Sequence, residues 1–225
     1  FAINFENNHR KFGGKISEND LLDHLLPFWI ENYFRKPNYL LLDDKPILSI
    51  YNVDRFVRDL GGEQRACIVV GKMRAACRHA GFEGLHLLGQ YCWGPPTELQ
   101  EQAARIQRIG MDVSWSYHWP TFTGAFGHQL HPTGAQAIAA QEHLWQTLPQ
   151  PNLLTLSMGW DSQPWNFSLS RTQWQLTPGE FHLLCQRAKS LLDRRNTNGL
   201  ENRIVLLDNW NEYGEGHYIS PTREH

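Results

Sequence analysis

The sequence predicts an α/β fold, a (β/α)8 TIM barrel that lacks its first two βα units in this chain. Three observations lead there. Strand-like and helix-like stretches alternate through all 225 residues, the pattern of parallel strands joined by crossover helices. Polar and aromatic residues gather at or just after the strand ends, on the side where barrels build their sites. No Gly-rich dinucleotide or phosphate loop follows any strand, which counts against a Rossmann-type sheet. Six strands are legible, two short of a closed barrel, so the single domain spanning 1–225 reads as N-terminally incomplete.

Phe1, Ile3 and Phe5 alternate with Ala2, Asn4 and Glu6, a strand whose second face turns polar toward its end. Ser17 is a plausible N-cap for a helix from Glu18 to Phe34, which Pro27 kinks or splits. Tyr39 to Leu42 is a short apolar piece. Asp43-Asp44-Lys45 turns into the second strand, Pro46 to Tyr51. Asp54 to Leu60 and Gly62 to His79 read as helices, the latter closed by Gly81. Gly84 to Gly89 is the third strand, leaving Gln90, Tyr91, Cys92 and Trp93 at its end.

Thr97 caps a helix to Ile109, ended by Gly110, and Met111 to Ser116 is the fourth strand. Its exit, Trp115 to Trp119, is rich in aromatics. Residues 121–133 form a loop, Gly134 to Leu148 a helix, and Leu153 to Met158 the fifth strand. A long loop runs on to Leu176; loops of that length are usually functional or disordered. Thr177 as N-cap and Pro178 at the first position open a helix to Arg195. Arg203 to Leu207 is the sixth strand, apolar enough to be buried on both faces.

Composition sets limits. The net charge of −2 makes no case for nucleic acid or an anionic membrane. No apolar run approaches the roughly 20 residues of a membrane span. Nine Trp, seven Tyr and eleven Phe are a heavy aromatic load, much of it in loop-like stretches, where rings serve as platforms for sugars or as packing. The four cysteines show no metal spacing. Cys67 and Cys77 fall on one helix, about 15 Å apart by helical rise, too far to pair; buried free thiols are expected. The chain opens on a strand without an initiator Met, so no compartment is read from its start.

The chemistry concentrates after the sixth strand, in Asp208-Asn-Trp-Asn-Glu-Tyr-Gly-Glu-Gly-His217. Glu212 and Glu215 are the strongest pair. Glycoside cleavage needs an acid to protonate the leaving oxygen and a second carboxylate as base or nucleophile. Low-dielectric surroundings from Trp210 and Tyr213 would raise one carboxyl pKa and keep that group protonated. A helix start also carries acids at this spacing, because they favour its dipole.

Asp161 would bind sugar hydroxyls while Trp160 stacks, or would simply form a turn. Asn4 and Glu6 share one strand face and point into the barrel mouth, or end in a solvated loop. Tyr51, Tyr91, Trp115, Tyr117 and Asn211 sit at strand ends as further candidates for substrate binding. His118 either contacts substrate or is a hydrogen-bonded structural residue. His128 and His131 have ligand-like spacing, but no carboxylate or Cys completes a set, so no metal and no cofactor is expected.

Trp210-Asn-Glu-Tyr-Gly-Glu-Gly216 resembles the Trp-Asn-Glu-Trp-x-Glu-Gly signature of glycoside hydrolase family 99. With His217-Tyr-Ile-Ser-Pro221 it is closer still to the WbsX-type, family-99-like proteins of polysaccharide gene clusters. Asp44-Lys-Pro-Ile-Leu-Ser-Ile-Tyr51 resembles their Gly-Lys-Pro-hydrophobic-Tyr strand, and Gly159-Trp160-Asp161-Ser162 their Gly-Trp/Tyr-Asp loop. The resemblance implies a (β/α)8 barrel acting on glycans, with Glu212 as base and Glu215 as acid. It further implies a metal-independent retaining mechanism in which the base deprotonates the sugar 2-hydroxyl and an anhydro-sugar forms. Family-99 enzymes are endo-acting on α-mannosides. Tyr213 stands where Trp is usual, and Gly214 where the mannosidases carry His; both positions shape the sugar site.

The expected function is therefore a glycoside hydrolase cleaving an α-linked glycan. The alternatives are a glycosyltransferase or polysaccharide-assembly enzyme, for which no nucleotide-sugar signature is visible, and a carbohydrate-binding protein without catalysis.

Overall fold

The computed structural model describes residues 1–7, 15–91, 96–118, 131–161, 173–195 and 197–223. The chain divides into two compact units, Phe1–Tyr91 with Glu101–Trp115, and Cys92–Gln100 with Ser116–His225. It is a mixed α/β fold with parallel strands. Among the described residues the strands form one five-stranded sheet and three two-stranded pairs.

The first unit is built on one sheet, in the order β1 (Ile3–Phe5), β3 (Lys45–Ile50), β4 (His86–Tyr91), β5 (Val113–Ser116). β1 with β3 and β3 with β4 are parallel, with Ile3 opposite Leu48 and Ile50 opposite Gly89. β2 (Leu41–Leu42) adds antiparallel to the start of β3. Asp43 and Asp44, at φ 50° and 54°, form the two-residue turn between them, the left-handed pair a tight hairpin requires. The short apolar piece of the sequence is thus a hairpin arm.

The helix around Pro27 is neither broken nor regular. Four α-helical residues, α1 (Leu26–Trp29), are flanked by π-wound turns Asp20–Leu25 and Ile30–Phe34. Proline's ring clashes with the carbonyl one turn back and removes a donor, so the coil widens around it. Ser17 Oγ accepts from the Asp20 amide (3.1 Å), while Asp20 Oδ2 accepts from the Ser17 amide (3.1 Å). α2 (Val53–Leu60) is capped by Asn52, whose Oδ1 accepts from the Arg55 amide (2.9 Å). α3 (Glu63–His79) and α4 (Pro96–Arg108) follow. Gly89 is glycine for a packing reason: a Cβ there would lie 2.9 Å from Ile106 and Met111 atoms.

The second unit carries α5 (Gly134–Thr147) and α6 (Pro178–Arg194), each opened by a capping box, from Thr133 and Thr177. They pack over β6 (Leu154–Leu156) and a core that includes Trp145, Leu156, Trp160, Trp174 and Leu184. β6 pairs in parallel with β9 (Val205–Leu207), Thr155 opposite Leu206. β7 (Gly159–Trp160) and β8 (Trp174–Gln175) form an antiparallel pair inside what the sequence suggests is one long loop. Two-residue strands have no periodicity to read. β10 (Asn211–Glu212) and β11 (His217–Tyr218) form a second small hairpin.

β9 corrects one expectation. It is not buried on both faces: Val205 is 38% and Leu207 47% exposed. β6 is its partner among the described residues. The cysteines correct another. Cys77 is buried, but Cys67 on the same helix is exposed and Cys185 is half-buried; Cys92 lies outside the described residues. Among the described residues no helix is long and apolar enough to cross a membrane.

Candidate active site

The end of β9 begins the site. The Asp208 amide donates to the Leu156 carbonyl (3.2 Å), which carries the parallel ladder one residue beyond the strand. Asp208 therefore leaves at the C-terminal edge with its carboxyl fully buried. A second approach comes from the end of β5. Thr155 Oγ1 donates to the Ser116 carbonyl (2.7 Å), and Ser116 Oγ to the His118 carbonyl (3.0 Å), fixing the path of Tyr117 and His118.

The third approach is the β10–β11 hairpin. Glu212 stands directly opposite His217 across it, and Tyr213–Glu215 is the 3-10 turn that closes it. The two glutamates thus open no α-helix. Gly216 has φ 64°, and a Cβ there would meet the Asp161 backbone nitrogen at 2.7 Å. Only glycine allows both the left-handed turn and that approach. The Asp161 amide donates to the Glu215 carbonyl (2.7 Å), so the Gly-Trp-Asp loop and the Glu-containing hairpin join through their backbones.

These side chains close one hydrogen-bonded network. Asp208 Oδ1 accepts from the Asn209 amide (2.9 Å). Its Oδ2 lies 2.7 Å from His118 Nδ1 and 3.3 Å from His217 Nδ1. The other ring nitrogen of His217, Nε2, is 2.9 Å from Glu215 Oε2. Tyr117 Oη donates to the same Oε2 (3.0 Å) and accepts from Asn209 Nδ2 (3.0 Å). Aromatic rings wall it in. Trp160, 2% exposed, lies 4.8 Å from His118 and 5.1 Å from His217 between ring centres, and Trp174 stacks on His118 at 5.8 Å.

The electrostatics come from this wiring. Burial pushes the His118 pKa down, more than the Asp208 carboxylate raises it. His118 is therefore a neutral ring donating Nδ1–H. Burial works against the Asp208 anion, yet the hydrogen bonds from His118 and His217 hold its pKa below the usual carboxylate value. Burial likewise opposes the Glu215 anion, and the bonds from His217 and Tyr117 outweigh it, so its pKa is lowered. For His217 burial opposes the charge, but Asp208 and Glu215 together raise its pKa to about 9. Burial and then the Glu215 carboxylate push the Tyr117 hydroxyl up, leaving it a neutral donor.

One expectation about the carboxylates changes. Trp210 and Tyr213 do not form a dry pocket that keeps an acid protonated; they are 62% and 51% exposed. The buried walls are Trp160 and Trp174 instead, and the cationic His217 and the Tyr117 hydroxyl inside them favour an ionised Glu215. Of the exposed rings flanking Glu212, Tyr213 packs at 4.9 Å against Tyr218 and has its hydroxyl 2.6 Å from Ser220 Oγ. Asn211 is exposed beside them.

The other expected site residues belong to the first unit. Asn4 and Glu6 are exposed at the end of β1. Tyr51 donates its amide to the Phe5 carbonyl (3.0 Å). Tyr91 is 2% exposed on β4. Trp115 is 9% exposed and donates Nε1–H to Ser49 Oγ (3.0 Å), a packing role within the sheet. His131 is exposed; Trp93, Trp119, His128 and Trp165 lie outside the described residues.

Asp208, Asn209 and His217 were not singled out by the sequence reading, although His217 falls inside the motif. The available signal was their position: acid, amide and imidazole abutting a strand end and a glycine. His118, Asp208 and His217 place their nitrogen and oxygen atoms within 4.8 Å of one another. Ligands on one tetrahedral zinc, about 2.0–2.1 Å from it, stand about 3.3 Å apart. The 2.7 Å His118–Asp208 separation is a charge-assisted hydrogen bond, and the His217–Asp208 separation is 3.3 Å. A cavity of about 540 Å³ in the same unit, lined by residues such as Met158, Phe181 and Tyr218, includes neither glutamate in its wall.

Comparison with known proteins gives the chain a family and a fold. The family model described as "Glycosyltransferase WbsX" matches residues 13–225. Among solved structures, the GH99 endo-alpha-mannosidase from Bacteroides thetaiotaomicron is similar at a TM-score of 0.53 and 13% identity, over 96% of this chain and 55% of that one. The chain thus spans about half the length of that structure and shares its fold. No curated protein matches.

Proposed function

Because the chain belongs to the WbsX family, related to glycoside hydrolase family 99, we propose that it is a glycoside hydrolase cleaving an α-linked glycan. The single observation that carries this reading is the β10–β11 hairpin, where Glu212 and Glu215 flank a buried His217. Glu215 is the acid that protonates the leaving oxygen; Glu212 is the base that takes the proton of the sugar 2-hydroxyl. Trp210 and Tyr213, exposed beside Glu212, hold sugar faces. Asp161, joined to Glu215 through the backbone, binds sugar hydroxyls. A (β/α)8 barrel supplies the scaffold in this proposal, and the half-exposed apolar side chains of β9 are surface that a neighbouring strand would cover.

The family description also favours a second reading, transfer from an activated sugar donor to a glycan. A reducing-end assay against α-linked glycans, mannans included, separates the two. Hydrolysis predicts new reducing ends with wild type and a loss of about 10²–10⁴-fold in Glu215→Gln and in Glu212→Gln. Full activity in both variants would sink the assignment. No cleavage together with calorimetric binding of a nucleotide sugar would move the protein to the transferases.

A further inference from the structure

Glu215 as found is poorly suited to be an acid alone, because its surroundings favour the anion. Among the described residues two donors reach its Oε2, the Tyr117 hydroxyl and the His217 ring, and burial and the Glu215 carboxylate keep the Tyr117 proton in place. His217 Nε2 is 2.9 Å from Glu215 Oε2, and its Nδ1 is held by Asp208 Oδ2 at 3.3 Å. His217 is wholly buried. Asp208 in turn accepts from His118 and from the Asn209 amide, so its Oδ2 cannot swing away.

Resting on the hydrolase reading above, we propose that His217 is a positioning residue that stores the proton Glu215 delivers. It is held for that task by the Asp208–His118 pair. At rest the cluster is a cationic His217 between two carboxylates. As the substrate enters, the Nε2 proton crosses to Oε2. Glu215 passes it to the glycosidic oxygen while the sugar C1–O bond breaks and the bonding pair leaves with the alcohol; the 2-oxygen, its proton taken by Glu212, closes on C1. His217, now neutral, keeps its Nδ1–H on Asp208. Water then attacks C1, the 2-oxygen leaves C1 and takes its proton back from Glu212, and Glu215 takes the proton of the water and returns it to Nε2, which restores the starting charges. Tyr117 keeps Oε2 aimed during the exchange by its own 3.0 Å bond.

Among the described residues, the titratable groups around His217 come from four segments. Asp208 comes from the end of β9, Glu215 from the 3-10 turn and Glu212 from the opposite strand of the hairpin; Tyr117 and His118 follow β5. His118 is neutral at the pH of interest, because burial lowers its pKa. The carboxylates therefore decide the His217 charge.

Two measurements on the full chain test the proposal. The first is an NMR titration of 15N-labelled histidines, which needs no substrate. His217 is expected to carry both ring protons at neutral pH and to titrate near pH 9; Glu215→Gln should move that midpoint toward the ordinary value of about 6.5. The second is cleavage of α-mannan. His217→Gln should lower kcat by about tenfold or more, up to the roughly 10²–10⁴-fold that a positioned acid supplies, with KM held and the alkaline limb of the pH profile lost. A His217 that is neutral at pH 7, or whose midpoint ignores Glu215→Gln, overturns the stored proton even in an active enzyme, and the hydrolase reading then stands without it. A coupled titration in a protein that cleaves no glycan upholds the shared proton but overturns its delivery and the hydrolase reading together.

Discussion

β3 and β9 begin from the same kind of sequence. Both are apolar runs met at once by polar residues. β3 lies between β1 and β4, and Pro46 through Ile50 are all buried. β9 has β6 beside it among the described residues, and two of its three side chains are more than a third exposed. The polar residues beyond the two strands also serve different ends. After β3 the polar residue is used by the fold: the Asn52 side chain caps α2, and its backbone carbonyl and amide bond the Asn7 side chain at 2.8 and 2.7 Å. After β9 the polar side chains bond one another, and the Glu215 side chain is 26% exposed. The end of β3 is tied to α2 and to the segment after β1 by neutral amide bonds, whereas the end of β9 gathers ionisable partners from the exit of β5 and from the β10–β11 hairpin.

The contrast can be broken most severely at Asp208. Its carboxyl is fully buried and holds two imidazoles. Asp208→Asn should cost about 3–5 kcal/mol, because it leaves a buried cationic His217 without one of its two anions. Urea denaturation measures this, and a loss no larger than that of a cap would erase the distinction between the strand ends. The strand interiors come next. Leu48→Ala in β3 should cost about 2–5 kcal/mol, whereas Leu207→Ala in β9 should cost under about 1 kcal/mol, since much of that side chain already meets water. Equal losses would mean that β9 is covered in solution.

A pH series sharpens the comparison further. His217 titrates higher in the folded chain, at about 9, than in an unfolded one, at about 6.5. Its charge therefore contributes stability that is complete below about pH 6.5 and fades as pH rises through about 9. For this one proton the slope is no steeper than about 1.4 kcal/mol per pH unit. Asp208 and Glu215, both lowered, act in the opposite sense, and their contribution fades as pH falls through their folded values. His217→Gln should flatten the alkaline slope of the urea midpoint, while Asn52→Ala should leave that slope in place. Asn52→Ala is the smallest change expected, about 1 kcal/mol for a lost N-cap, with glycan cleavage untouched.

Much of the fold was legible because its signals are short-range. Thr177 and Pro178 announced α6, and Gly81 marked the turn past α3. Asp43-Asp44 announced a turn. Strand β8 escaped notice because two residues have no period, and the split winding around Pro27 depends on how far a coil widens. At the site, the glutamate pair and the Gly-Trp-Asp loop were visible as motifs. Asp208, Asn209 and His217 carry no signature of their own, since an acid or imidazole near a strand end has many uses. The aromatic walls were misassigned: Trp210 and Tyr213 are nearest in sequence, but Trp160 and Trp174 do the enclosing.

The sequence by itself determined the alternation of strands and helices, the glutamates after the sixth strand and the membership in the WbsX family. Each rests on residues a few positions apart, where caps, turns and motif spacing act. Only the tertiary structure decided which groups are charged. Tyr117 and Glu215 are 98 residues apart in the chain, His118 and Asp208 90. A side chain's proton affinity is set by burial and by charges within a few ångströms, and those neighbours are assembled by folding.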